Sequence, residues 1–127
     1  DALMKSKNFK EVEFSYYEQY FGNYTYTFEN NFLRFRLSSD KSEENIDIQQ
    51  TVDPSEWFDL QIVYCFLKNK KILTEPIDIT TQLMYVEKNF LEIVSLFKNE
   101  VYEETKLTLS KLRKERARQM FPGNFLD

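Results

Sequence analysis

Three short stretches of alternation between residues 24 and 51 constrain this chain more than anything else in it. In the first, Tyr24, Tyr26 and Phe28 fall on one side, with Thr25 and Thr27 on the other. In the second, Leu33, Phe35 and Leu37 alternate with Arg34 and Arg36, and in the third Ile46 and Ile48 alternate with Asp47 and Gln49. Successive side chains of a strand point to opposite faces, so period-two patterning predicts half-buried antiparallel strands around Tyr24–Glu29, Phe32–Ser38 and Asn45–Thr51. Asn30-Asn31 supplies the first tight turn, since Asn tolerates positive φ. The polar run from Ser38 to Asn45 reads as an exposed loop between the second and third strands.

The flanks read as helix. Phe9, Val12, Tyr16 and Tyr20 recur at helical spacing ahead of the strands, and Gly22-Asn23 offers a stop. The local alternation Val12/Phe14/Tyr16 is the competing strand reading. After the strands, Asp53 fits an N-cap, Pro54 the first helical position and Glu56 the third, with Val52 and Trp57 as staple partners. The apolar run from Trp57 to Leu67 is then a helix buried on more than one side, with Trp57 as a core anchor and Cys65 as an inert buried thiol. Its rival is again a strand, since Phe58, Leu60, Ile62 and Tyr64 also alternate. Asn69-Lys70-Lys71 ends this helix, and Asp78 or Thr80 caps the next, in which Leu83, Val86, Phe90, Ile93 and Phe97 step by three and four. A last helix opens on Glu103-Glu104 and closes on basic residues, as the macrodipole favours. A bend near Lys98-Asn99 and one long continuous helix are both open. The expected architecture is a single α+β domain over residues 1–127. It has an N-terminal helix, a three-stranded antiparallel β-meander, then two or three C-terminal helices packed on one face.

Composition narrows the chemistry. There is no His, so no imidazole base, shuttle or metal ligand is available. Two glycines cannot build a glycine-rich phosphate cradle, and one Cys without His leaves no zinc site of the usual kind. No metal and no cofactor are therefore expected. The single Cys also excludes an internal disulfide framework and suits a reducing compartment. Residues 1–7 lack the apolar centre of a signal peptide, and no apolar run approaches a membrane span, so a cytoplasmic protein is expected. With 17 basic and 21 acidic residues the net charge is −4, which argues against bulk affinity for nucleic acid.

Three constellations stand out as candidate sites. Asp40, Glu43, Glu44, Asp47, Asp53, Glu56 and Asp59 face Lys41 alone over twenty residues. Asp53 and Glu56 are already explained by capping. That leaves Asp40, Glu43, Glu44, Asp47 and Asp59 as an acidic contact surface able to steer a basic partner, or as an ordinary solvated face. Tyr16, Tyr20, Tyr24 and Tyr26 are a second candidate contact, because Tyr is enriched at interfaces; core packing is the plainer account. Lys111, Arg113, Lys114, Arg116 and Arg118 could meet phosphates, though helix-dipole complementarity explains them as well.

The Tyr20-Phe21-Gly22-Asn23 turn into the strands, the helix opened by Trp57 and the charged C-terminal helix together resemble small bacterial immunity-type proteins. These are cytosolic partners that neutralise polymorphic or contact-dependent toxins. The resemblance implies a non-enzyme that blocks a toxin through a shape- and charge-matched interface, and it carries no particular residue over. The leading expectation is thus a protein-binding module neutralising a basic toxin or nuclease through the acidic surface. The alternative is a nucleic-acid-associated or regulatory protein, for which a continuous basic groove should run from Arg34 and Arg36 to Arg118. An enzyme built on paired carboxylates comes third and requires two of them facing each other in a deep cleft.

Overall fold

The computed structural model describes residues 9–17, 23–40, 43–69 and 77–121. Its five strands form one antiparallel sheet in sequential order: β1 (Lys10–Tyr17), β2 (Asn23–Glu29), β3 (Leu33–Asp40), β4 (Glu43–Gln50) and β5 (Phe58–Asp59). Among the described residues four helices follow, α1 (Leu60–Lys68), α2 (Ile79–Lys88), α3 (Phe90–Leu96) and α4 (Tyr102–Met120). The α+β class and the three central strands agree with the alternation. The expected N-terminal helix and three-stranded meander do not: residues 10–17 are a strand, and among the described residues a five-stranded sheet precedes the four helices.

The first correction is β1, where a helix was expected. Phe14 stands opposite Tyr26, with ring centroids 4.4 Å apart, and Tyr16 stands opposite Tyr24. Phe9, just before the strand, packs edge-on against Phe35 at 5.2 Å and Phe90 at 5.9 Å. Cross-strand aromatic contacts of this kind reward the period-two reading over the helical one. The ladder is irregular between Glu11 and Glu13.

The second correction concerns Asp53. Four local preferences point to a helix starting there, yet Asp53 instead holds a turn, accepting from the Ser55 N–H and hydroxyl. The chain then splits its two aromatics across the sheet. Phe58 is fully buried opposite Ile48, while Trp57 stays half-buried on the other face. Consecutive residues on opposite faces are a strand's property, and a helix beginning at Pro54 would put both on adjoining parts of one surface. The helix proper starts at Leu60, capped by Asp59, whose side chain accepts from the Ile62 N–H.

Other boundaries follow local chemistry. The Asn30 turn works through its side chain, which accepts from the N–H groups of Phe32 and Leu33, while Asn69 is the described non-glycine residue with positive φ and ends α1. The polar segment expected as a loop from Ser38 to Asn45 is mostly strand, because β3 runs to Asp40 and β4 starts at Glu43. Of the two expected caps, Asp78 and Thr80, it is Asp78 that caps α2. The apolar seam beyond it is divided at the buried Asn89, and a second break at residues 97–101 separates α3 from α4. Gln50 fixes that second break by donating to the Phe97 carbonyl and the Asn99 side chain.

The core lies on one side of the sheet. Phe28, Leu33, Phe35, Leu37, Ile46, Ile48 and Phe58 join Val63, Val86, Ile93 and Leu109 of the helices and Phe97 of the α3–α4 break in one buried cluster. Cys65 is buried, as expected of a small core residue. Every sheet residue in that apolar cluster belongs to the same face, so the molecule is two layers, sheet and helices, and the other face of the sheet stands outside the core.

Candidate functional site

The face turned away from the helices is built by the polar half of the alternation. Thr25 stands opposite Ser38, Thr27 opposite Arg36, Glu29 opposite Arg34, and Arg34 and Arg36 opposite Gln49 and Asp47. With Trp57 at one side, Thr25, Thr27, Arg34, Arg36, Ser38 and Gln49 line a concavity of about 540 Å³. Both arginines are braced. Arg34 donates through Nε to Glu29 at 2.8 Å and through Nη1 to Gln49 at 2.9 Å. Arg36 donates to Asp47 at 3.2 Å and lies flat over Trp57, with Cζ 4.2 Å from the ring centroid. Gln49 is held in turn by the Pro54 carbonyl. Guanidiniums stacked and hydrogen-bonded in this way are pre-oriented for planar, bidentate contacts.

From Asp47 the charges run on as paired acids and bases. Asp47 faces Asp59 across the β4–β5 ladder, and Asp59 takes a two-pronged contact from Arg116 at 2.7 and 2.8 Å. Arg113 reaches Glu56 at 3.0 Å and the Trp57 carbonyl at 3.3 Å, and Lys106 reaches Asp53 at 2.9 Å. Lys106, Arg113 and Arg116 fall on one stripe of α4, which therefore clips the helix layer to the β4–α1 connection. Burial raises the Asp47 carboxyl above the usual carboxylate range, and Arg36 offsets that only in part. Hydrogen bonds from Ser55 and then Lys106 hold the partly buried Asp53 down to about 2.

The low Asp53 value has a signed consequence. A carboxyl more acidic in the folded state stabilises the fold above its ordinary pKa, and that stabilisation is lost as pH falls through the folded value. The denaturant midpoint of the native protein should therefore drop between about pH 4 and pH 2, and Asp53→Asn should flatten part of that drop. Equal slopes for the two proteins would remove the Lys106–Asp53 clip from the stability of the fold.

The acidic candidates are not gathered as one unanswered surface. Asp47 and Asp59 are in ion pairs with Arg36 and Arg116, and Glu44 accepts from the Tyr24 hydroxyl. Glu43 is exposed at the start of β4, and the backbone of Asp40 pairs with it in the hairpin. Tyr24 and Tyr26 lie on the helix-side face with Phe28 and Leu37 around a smaller, more apolar concavity of about 310 Å³, and burial with the Glu44 contact pushes the Tyr24 phenol up to about 12. Tyr16 takes its place opposite Tyr24 in the ladder, and Tyr20 lies outside the described residues.

The other two expectations meet the same ion pairs. Between Arg36 and α4 stand two adjacent carboxylates, Asp47 and Asp59, so the path toward Arg118 is interrupted by negative charge and is not a basic groove. Asp47 and Asp59 do face each other, but each already receives a guanidinium. Among the described residues no group of three or more His, Cys, Asp or Glu could hold a metal ion, and no helix is long and apolar enough to cross a membrane. Thr25, Thr27 and Ser38 were visible only as the polar half of the strand pattern; that Trp57 joins them required the β5 register.

No protein-family model matches the chain, and no curated protein or solved structure matches it.

Proposed function

We propose that this protein is a non-catalytic protein-binding module of the immunity or antitoxin kind, and that its contact surface is the open face of the sheet. The observation that carries this is the one-sided construction. The helices cover the apolar face, while the other face offers a concavity with two braced arginines, hydroxyl groups and a half-buried Trp. Trp and Arg are the side chains that most often dominate binding energy at protein interfaces. The acids of the β4–α1 connection are answered within the chain by Lys106, Arg113 and Arg116. Charge steering by an acidic surface then falls to the β3–β4 hairpin around Asp40 and Glu43, as a secondary contribution.

The test uses tagged full-length protein in extract of the native host. The native protein should retain one partner at a fixed ratio, Thr25→Trp should fill the concavity and lose it, and Glu43→Lys should retain it. Production of that partner alone should arrest growth, and co-production of this chain should restore it. A partner held equally by Thr25→Trp would move the contact elsewhere, and a partner without effect on growth would remove the immunity reading.

A further inference from the structure

The open face also indicates what a partner must bring to it. Arg34 and Arg36 are two residues apart on β3 and so project from the same face about 7 Å apart. Glu29 and Gln49 take two of the five N–H donors of Arg34, and Asp47 takes one of those of Arg36. The remaining donors belong to guanidiniums whose planes are already fixed, Arg34 by its two acceptors and Arg36 by Trp57. Thr27 stands across the ladder from Arg36 and lines the same concavity with Thr25 and Ser38, adding hydroxyl donors.

We infer that Arg34 and Arg36 read two carboxylates placed two residues apart on an extended segment of the protein partner. This deepens the binding-module reading above and rests on it. It also reverses the sign expected of the partner: the contact is acidic, not basic. An extended segment repeats its same-side positions at the spacing of the two arginines, so each carboxylate meets one guanidinium fork. The internal acids do not exclude this. Partly exposed ion pairs are weak, and the half-buried Asp47, whose charged form is disfavoured by desolvation, is a poor competitor for Arg36. Nucleic acid fits less well. Its affinity accumulates over many phosphate contacts, whereas Lys106, Arg113 and Arg116 are engaged in ion pairs and the concavity is lined by two cations, Arg34 and Arg36.

Trp57 is the one tryptophan of the chain, so its fluorescence reports directly on the concavity. The probes are the blocked pentapeptide Thr-Glu-Val-Glu-Thr, its twin Thr-Gln-Val-Gln-Thr and a short oligothymidylate, each titrated into the full-length protein. The Glu peptide should give a saturable change that weakens with salt and is about tenfold weaker in Arg34→Gln and in Arg36→Gln. Arg36→Gln also removes the stack on Trp57, so Arg34→Gln, checked for native circular dichroism, is the decisive variant. The Gln twin should give no saturation. An equal response to the Gln twin, Glu-peptide binding indifferent to Arg34→Gln, or saturation by oligothymidylate would each overturn the inference. Absence of Glu-peptide binding while Thr25→Trp still abolishes partner capture would overturn the diacid pair and leave the open face standing as the contact. Glu-peptide binding as expected, with no partner captured from extract, would uphold the site and remove the module reading.

Discussion

Phe58→Ala should destabilise the protein by about 3–5 kcal/mol, and Trp57→Ala by only about 1–2 kcal/mol. The two residues are neighbours, and Trp is the larger, so the order is set by placement alone. Phe58 has no exposed surface and sits in the core at the point where the sheet hands over to α1. Truncating it leaves a cavity among Ile48 and the helix residues of the same cluster, which close-packed surroundings fill poorly. The Arg113 guanidinium also lies over its ring, with Cζ 5.0 Å from the centroid, so α4 loses a contact as well. Trp57 gives up a half-buried surface and its stack with Arg36, both on the open face. Urea unfolding of the two variants measures the difference directly. A loss for Trp57→Ala equal to that for Phe58→Ala would place Trp57 in the core and close the proposed contact face.

Gln82→Leu should cost at least about 3 kcal/mol, although it exchanges one buried side chain for another of similar size. Gln82 is only 2% exposed. Its Oε1 accepts from the Ile46 N–H at 2.9 Å, and its Nε2 donates to the Glu44 carbonyl at 3.0 Å and the Ile77 carbonyl at 2.7 Å. The first two belong to β4 beyond the short β5, which pairs only with Asp47 and Ile48. The side-chain amide thus stands in for the missing strand, giving the β4 edge a donor and an acceptor as a neighbouring peptide would. Leu satisfies none of the three groups, and each one left buried and unpaired carries a desolvation cost. Gln82→Glu adds a signed check. A carboxylate keeps the bond from Ile46 but faces two carbonyl oxygens, so the fold favours its protonated form and raises its pKa. That variant should recover stability as pH falls toward about 4 and lose it as pH rises. A Gln82→Leu midpoint unchanged from the native protein would show that β4 does not depend on this bridge.

What was legible in the sequence alone is the part written in local periodicity. Leu33/Phe35/Leu37 against Arg34/Arg36, and Ile46/Ile48 against Asp47/Gln49, determined three strands and which side of each is wet, because a strand has only two sides. Asp78 and Asn69 marked a helix start and a helix end by backbone chemistry that acts within one turn. The polar residues of the candidate site were on view in that same pattern, as the half left over from the core.

What only the tertiary structure decided is every choice between two locally sound alternatives. Residues 10–17 carry both a helical and a strand pattern, and the free edge of β2 with its aromatic row selects the strand. Asp53-Pro54 is a good helix start by every short-range rule, yet the gain from burying Phe58 against Ile48 moves the helix six residues on. The acidic run and the basic helix look like two opposed surfaces when read along the chain. In the fold they answer each other, Asp53 with Lys106, Glu56 with Arg113 and Asp59 with Arg116, across more than fifty residues of sequence. Propensity and capping act over a few residues, whereas burial and charge pairing act over distances in space that only the closed chain defines.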